Sequence, residues 1–289
     1  MSQEAEIFQR NAKTFSYAGK FFDRETRRRV ETLYSFFRWV DDLAERDDSQ
    51  GRALLQSIEH NWDSSALDPQ WIKARDLFAE LQVDQQIVEA FFSCMRSDSQ
   101  SVRIRTEREL LRYCYGAAST VGLCLVSAFG VKDQRAYPFA IDLGIAMQLT
   151  NIVRDVVEDR ANDKIYLPEL TDHDLESMTD DELKRIKAKY VDLADKYYAS
   201  AEKGFVYLPA RARFCVSLAA TLYRQIGIRA LRAEFLKSRA YTHQLEKAAR
   251  LALHCVPFGC SFFDLKKPKL HDVELHRDLQ GLPYVHKSL

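Results

Sequence analysis

Two stretches of the chain carry polar and charged side chains on a helix face that their neighbours mark as apolar. Residues three or four positions apart share one face of an α-helix. The first face consists, at spacings of four, three and four residues, of Tyr34, Arg38, Asp41 and Glu45. The second consists, at spacings of three, four and four residues, of Gln148, Asn151, Asp155 and Asp159. Val30 and Phe37 continue the first face and Ile152 lies beside the second, so each helix aims two carboxylates at the protein interior.

Buried carboxylates in this arrangement need a compensating cation. Burial of an unpaired carboxylate is costly, and two carboxylates four residues apart also repel each other. A pair from each of two facing helices forms an oxygen-only site for a hard divalent ion, which suits Mg²⁺ best, with Mn²⁺ as the alternative. A di-iron bundle would use Glu-x-x-His, and no histidine lies near either face. Either acidic run alone, 41–48 or 154–160, is also compatible with an ordinary solvated helix face; their match favours a buried site.

Helices must position these residues, and helical periodicity runs through most of the chain. Apolar positions recur with the helical period over 26–45, 107–129, 134–160, 178–205 and 210–235. Only 10 glycines and 7 prolines occur in 289 residues, too few for the regular turns of a sandwich or barrel. We therefore predict an all-α protein.

The domain organisation follows from where this pattern ends. Residues 1–255 are predicted to form one all-α domain, and 256–289, where proline and glycine recur, an irregular C-terminal tail. Its segment FGCSFFDLKKPK over 258–269 could contact a membrane surface, but a tail packed on its own domain is favoured.

Composition excludes several classes of protein. The 42 basic residues balance 42 acidic residues, so no global field attracts nucleic acid. The six cysteines include no CxxC pair, which argues against a zinc site. The N-terminus has no apolar signal-peptide core, and no run of apolar residues is long enough to span a bilayer. We expect a cytoplasmic protein that is at most peripheral at a membrane.

Longer motifs resemble one family. Residues 12–45, 110–122 and 143–170 are similar, in order, to the squalene/phytoene synthase family, and the text is most similar to the bacterial phytoene synthases. The resemblance spans about residues 8 to 250. Its most specific part is NxxRDxxxD followed by IYLP, which here comprises Asn151, Arg154, Asp155, Asp159 and 165–168.

The resemblance implies a single-domain isoprenoid-synthase helical bundle with a central active-site cavity, and it implies roles for particular residues. The two acidic motifs would hold Mg²⁺ on Asp41, Glu45, Asn151, Asp155 and Asp159. The catalytic set would be these four carboxylates with Tyr34, Arg38 and Arg154, the two arginines binding diphosphate. Substrate would also contact Lys13, Thr14, Phe15, Tyr115, Gln148, Tyr166, Tyr223 and Arg239. The channel for the prenyl tails would gain room from Gly116, Ala117, Ala118 and Gly122.

The implied reaction is the head-to-head (1′–1) condensation of two allylic diphosphates. The leading expectation is that two geranylgeranyl diphosphates give phytoene by way of prephytoene diphosphate. The alternative is farnesyl diphosphate, giving dehydrosqualene, presqualene diphosphate or, with NADPH, squalene. A catalytically silent relative that acts as an assembly protein is a further alternative. The oligomeric state is left open by the sequence.

Three departures from the family pattern bear on activity. Glu45 stands where aspartate is usual, which leaves a carboxylate but lengthens its arm. The stretch 113–122 replaces a valine and a glycine of the family pattern, which alters the middle of the substrate channel. Lys164 occupies a position where arginine is common.

Overall fold

The structure is a computed structural model that describes residues 4, 17–45, 53, 56–58, 68–170, 175, 177–241, 249–251 and 270–285. The longer helices of this part are α1 (Arg24–Glu45), α2 (Pro69–Glu80), α3 (Gln85–Asp98), α4 (Glu107–Cys114), α5 (Thr120–Ala128), α6 (Tyr137–Ala161), α7 (Asp180–Gly204) and α8 (Ala210–Arg229). The predicted all-α class is confirmed.

Several helices begin at side chains that cap them. The carboxylates of Asp68 and Asp84 accept hydrogen bonds from backbone N–H groups at the starts of α2 and α3. Thr179 and Glu182 form a reciprocal capping box at the start of α7. Such caps satisfy backbone donors that have no partner inside the helix, which fixes where each helix starts.

Helix α6 is the centre of the bundle and packs against α5, α7 and α8. It also packs closely against a π-helical turn, Tyr115–Ser119, that joins α4 to α5. Gly144 permits this approach, because a Cβ atom there would lie 2.5 Å from the Cα atom of Ser119. The Ser119 hydroxyl then donates to the carbonyl of Ile141 at 2.7 Å.

The helix predicted over 107–129 is continuous from Glu107–Ala128 but contains the π-helical turn. By length and composition alone, this one helix of the described residues could cross a membrane, whereas no apolar run of that length was expected from the sequence. However, 56% of its most apolar window is buried within the protein, as expected for a core helix.

Two further departures from the predicted helices matter for the site. Two short strands, β1 (Val102–Arg103) and β2 (Lys164–Ile165), pair in parallel, with Val102 opposite Lys164. This pairing ties the chain after α3 to the chain after α6. The helix predicted to reach residue 235 ends at Arg229, and the turn that follows buries Leu236, whose carbonyl accepts a hydrogen bond from Lys187 at 2.9 Å.

The C-terminal residues 270–285 lie against the helices. They contain a 3₁₀-helix, Val273–Leu279, that contacts α4. Leu279 is fully buried in the main hydrophobic core.

Candidate active site

One large cavity of about 1080 Å³ lies along α6 and is closed by α1, by the π-helical turn with α5, and by α8. Its lining changes character along α6: Phe139, Leu143 and Met147 come first, and Asn151 and Asp155 follow. Phe139 and Asp155 are 16 residues apart, which is about 24 Å along a helix axis. The cavity therefore has an apolar end and a charged end, as an amphiphilic substrate requires.

Helix α1 supplies one wall of the charged end. Tyr34, Arg38 and Asp41 all line the cavity, as their spacing predicts. The Arg38 guanidinium contacts the Asp41 carboxylate at 2.7 Å and the Asp42 carboxylate at 2.5 Å. Burial raises the pKa of the Tyr34 hydroxyl well above its usual value, so this group stays protonated. Helix α1 ends at Glu45, whose side chain lies outside the described part of the structure.

Helix α6 supplies the opposite wall of the charged end. The Arg154 guanidinium binds the Asp155 carboxylate with two hydrogen bonds, of 2.8 Å and 2.5 Å. Arg239 reaches the same carboxylate from beyond α8, at 3.2 Å. Burial acts to lower the pKa of Arg154, but its hydrogen bonds to Asp155 outweigh burial and the pKa is raised. Tyr223 on α8 also lines this wall and hydrogen-bonds to Arg154.

Two observations on α6 point to a cation. The Asn151 amide donates to the side-chain oxygen of Gln148 at 3.2 Å, while the Asn151 Oδ1 atom is buried and has no hydrogen-bond partner among the described residues. The pKa of Asp159 is raised to about 8, by burial first and then by the charges of Asp155 and Asp98. An orphaned amide oxygen beside crowded carboxylates is the donor set that a hard divalent cation prefers, so these residues fit Mg²⁺.

Three residues of the charged end, Asp98, Tyr113 and Lys164, were not among the site residues predicted from the sequence. Asp98 at the end of α3 is 5% exposed, and its carboxylate accepts hydrogen bonds from the Tyr166 hydroxyl at 2.6 Å and from Lys164 at 3.0 Å. Tyr113 stacks on Tyr166 with ring centroids 4.5 Å apart. These three residues and the predicted residue Tyr166 all line the cavity. Asp98 lies between the motif stretches 12–45 and 110–122, so no motif marked it.

The structure places Tyr115 outside the cavity, although the resemblance implied that it contacts substrate. Tyr115 is buried outside the cavity lining, and its hydroxyl donates to the carbonyl of Pro283 at 2.6 Å. Two residues along a helix correspond to about 200° of rotation, so Tyr113 and Tyr115 face opposite ways. Tyr113 is the cavity residue of this pair.

The small residues predicted to give the channel room also differ in whether they face the cavity. Ala117, Ala118 and Gly122 line the cavity as expected. Gly116 instead faces α3, where a Cβ atom would lie 2.6 Å from the Cβ atom of Cys94. The remaining predicted contacts Lys13, Thr14 and Phe15 lie outside the described residues.

The structure thus brings together at one cavity the predicted site residues whose side chains it describes, with the exceptions of Tyr115 and Gly116. Among the described residues, one group of three His, Cys, Asp or Glu side chains has its ligand atoms within 4.8 Å of one another, and it lies outside the cavity. It consists of Asp142, His271 and His276.

Comparison with known proteins places this site in a family. The family described as squalene/phytoene synthase matches residues 8–246. A 15-cis-phytoene synthase of Enterobacter agglomerans is 34% identical over 266 residues, which cover 83% of this chain and 90% of that protein. The chain belongs to the squalene/phytoene synthase family.

Other members of the family show how far the similarity extends. A 4,4'-diapophytoene synthase of Staphylococcus haemolyticus is 30% identical, with 84% of this chain and 91% of that protein covered. The crystal structure of a dehydrosqualene synthase in complex with ligand has a TM-score of 0.71 at 22% identity, covering 89% of this chain and 95% of that one. The shared architecture confirms the predicted isoprenoid-synthase fold.

Family membership confirms that the chain is a transferase of isoprenoid and carotenoid biosynthesis, specifically a prenyltransferase. It supports the head-to-head condensation of prenyl diphosphates, the reaction for which a cavity with one charged and one apolar end is suited.

Proposed function

We propose that this prenyltransferase condenses two geranylgeranyl diphosphates head to head to phytoene, by way of prephytoene diphosphate. The observation that carries the proposal is one cavity that joins carboxylates and arginines at one end to an apolar chamber at the other. A diphosphate and its prenyl tail need these two environments in one space.

The charged end would bind and activate the diphosphate. Arg38, Arg154 and Lys164 line it and carry donors for phosphate oxygens. Mg²⁺, or Mn²⁺ in its place, would be held by Asp41, Asn151, Asp155 and Asp159, with Glu45 as the further ligand that the sequence implies. Its chemistry there would be to neutralise the charge that develops on the leaving diphosphate.

The same arginines have a second task in the substrate-free protein. Arg38 binds Asp41 and Asp42, and Arg154 binds Asp155, so the two arginines offset the charges of these carboxylates. A diphosphate that draws the guanidinium groups toward itself would leave these carboxylates uncompensated. Diphosphate and a divalent cation should therefore bind with positive linkage.

The rest of the cavity would protect the allylic cation left after ionisation. Tyr34, Tyr113 and Tyr166 turn aromatic surface toward the charged end, and each such face stabilises a nearby cation by about 0.5–2 kcal/mol. The pKa values of all three hydroxyls are raised, first by burial, so none of them is a phenolate nucleophile at neutral pH. Apolar walls further along α6 keep water from the cation.

The choice of a C20 substrate rests on two arguments. The relative at 34% identity is named as a 15-cis-phytoene synthase, and small side chains such as Ala18, Gly19 and Ala140 line the apolar part of the cavity. Farnesyl diphosphate is the second candidate, favoured by the similarity to a 4,4'-diapophytoene synthase. NADPH would be needed only if the product were squalene.

We further propose that the protein works in the cytoplasm and contacts the membrane only peripherally, since a C40 hydrocarbon must leave into an apolar phase. The predicted membrane-contacting segment 258–269 lies outside the described residues. Nucleic acid is not a proposed partner, because the charges of the chain balance.

A product assay tests these proposals. Purified protein with Mg²⁺ is given farnesyl or geranylgeranyl diphosphate, without and then with NADPH, and the hydrocarbons are identified by mass spectrometry. Phytoene from the C20 substrate without NADPH is expected. A C30 product alone would move the enzyme to the farnesyl branch. If folded protein gave no product from either substrate, the silent-relative alternative would replace the proposal.

A further inference from the structure

The C-terminal residues 270–285, here called the strap, are fastened to α6 by a buried cluster. Asp142 on α6 is fully buried, and its two carboxylate oxygens each lie 2.8 Å from the Nε2 atom of a histidine, His271 for one and His276 for the other. Both histidine side chains are at most 4% exposed. Burial acts to raise the pKa of Asp142, but the hydrogen bonds from the two histidines outweigh it and the pKa is lowered.

Hydrogen bonds, rather than a metal ion, account for this geometry. Zinc bonds of about 2.0 Å in a tetrahedral site separate neighbouring donors by about 3.3 Å, whereas both distances here are 2.8 Å. Each imidazole thus donates directly to one oxygen of Asp142. A carboxylate buried to this degree is stable only while both donors stay in place.

The other end of the strap is fastened to the π-helical turn and its neighbours. The Tyr115 hydroxyl donates to the carbonyl of Pro283 at 2.6 Å. The hydroxyl of Tyr284 donates to Asp84 at 2.7 Å, and Arg112 on α4 donates to the carbonyl of Gln280 at 3.1 Å. The strap therefore runs from α6 to the π-helical turn, and none of its residues lines the cavity.

The inner sides of these two elements are cavity walls. Asp142 is followed on α6 by the cavity residues Leu143 and Gly144, and Tyr115 is followed by the cavity residues Ala117 and Ala118. The two elements also meet directly, because a Cβ atom on Gly144 would lie 2.8 Å from the carbonyl carbon of Ala118. The strap thus contacts both of these elements, whose other sides are walls of the cavity.

We propose that the strap is a positioning segment that fixes the distance between α6 and the π-helical turn, and thereby determines which prenyl tail the cavity accepts. The proposal rests on the proposed function for its substrate and on the strap contacts for its mechanism. Asp142 and Tyr115 are its two anchor residues, and neither lines the cavity.

The test uses two small changes in the full chain, Asp142→Asn and Tyr115→Phe, with Arg277→Gln as the control. Both anchor changes preserve side-chain shape, and Arg277 is an exposed strap residue next to His276. Hydrogen exchange measured by mass spectrometry reports the strap and the π-helical turn without any need for activity. We expect both anchor variants to exchange about 5- to 10-fold faster in both regions, the range set by the loss of one hydrogen bond. The control should match the parent chain.

Steady-state kinetics then separate positioning from simple stabilisation. We expect the anchor variants to raise KM for geranylgeranyl diphosphate about 5-fold or more and to change the C20-to-C15 ratio of kcat/KM, with kcat changed less than about 3-fold. Faster exchange in the strap with unchanged exchange in the π-helical turn would overturn the proposal. An unchanged KM and substrate ratio, or a Tyr115→Phe loss confined to kcat, would overturn it as well. If the parent chain makes no product, the proposed function fails. Hydrogen exchange in the π-helical turn still shows whether the strap stabilises this wall of the cavity.

Discussion

Asp155 is the residue whose replacement tests the charged end most directly. Its carboxylate accepts two hydrogen bonds from Arg154 and contacts Arg239 at 3.2 Å. Asp155→Asn keeps the shape of the side chain and removes its charge. Because the developing charge of the leaving diphosphate depends on this site, we expect turnover to fall at least about 100- to 1000-fold, or about 3–4 kcal/mol in the barrier.

The same change should leave the fold nearly as stable. A hydrogen bond to a charged group contributes about 1.5–3 kcal/mol, and the Arg154 side chain would lose part of that. In return, Asp159 would lose the repulsion that helps raise its pKa to about 8. The two effects oppose each other, so we expect the free energy of unfolding to fall by less than the roughly 3–5 kcal/mol that removal of one partner of a buried ion pair usually costs.

A binding measurement distinguishes this reasoning from general damage to the site. With Asp155 neutral, Arg154 no longer has a carboxylate competing for its guanidinium group. Isothermal titration with inorganic diphosphate in EDTA should show binding about 10-fold tighter in Asp155→Asn than in the parent chain, which corresponds to about 1.4 kcal/mol.

The matched control for this experiment is Asp133→Asn, a surface change just before α6 where the carboxylate pairs with Arg135. Its turnover should stay within about 3-fold of the parent value. Retention of more than a tenth of the activity by Asp155→Asn, or weaker binding of diphosphate in EDTA, would refute the assignment of Asp155 to the charged end.

Four further predictions address other parts of the molecule. Ala140→Phe places a ring in the apolar part of the cavity, so kcat/KM should fall about 10- to 100-fold more for the C20 than for the C15 substrate. Asp98→Asn weakens the hydrogen bond that positions Tyr166, so kcat should fall about 10-fold with little change in urea unfolding. An unchanged kcat would show that Asp98 is not a site residue. Gly144→Ala should cost about 1–3 kcal/mol in urea unfolding because its Cβ meets the backbone of the π-helical turn. Folding lowers the pKa of the Asp142 carboxyl from 3.8, so its contribution to stability is complete above pH 3.8 and is lost as the pH falls through the folded-state pKa. In Asp142→Asn, the free energy of unfolding measured against pH should therefore decline less steeply in this acid range.

The two charged faces could be predicted because a helix repeats them within one local segment. Asp41 and Asp155 both interrupt apolar stripes whose spacing is visible in the chain itself, and the cavity lining agrees with that spacing. The helix starts were predictable to within a few residues for the same local reason. Their exact positions depend on caps such as Thr179, which begins α7 after the predicted residue 178.

That Tyr115 lies outside the cavity could not be predicted, for a different reason. Both tyrosines of the stretch 113–115 are aromatic, and which of them faces the cavity depends on the rotation of a helix that passes into a π-helical turn. That rotation is set by contacts from other parts of the chain, such as the close approach of Gly144 to Ser119. No periodicity within the segment itself contains this information.

Asp98 and the strap were missed because their partners are far away in sequence. Asp98 meets Tyr166 across 68 positions, and Asp142 meets His276 across 134. A lone buried aspartate looks the same in sequence as a solvated one. Only the tertiary fold shows that Asp142 accepts hydrogen bonds from two imidazoles, and that Asp98 accepts them from the hydroxyl of Tyr166 and the ammonium group of Lys164.

Helix α6 shows how these long-range contacts serve the predicted local pattern. Its inner face holds Asn151, Asp155 and Asp159, all placed at some cost in burial or repulsion. At this end of the helix the buried side chains of Ile152, Val153 and Val156 hold it in the hydrophobic core. Gly144 packs it against the π-helical turn and Asp142 fastens it to the strap, both near its apolar half. Buried contacts along the whole helix thus hold α6 in place, so its inner face can carry charged groups that suit the proposed diphosphate site.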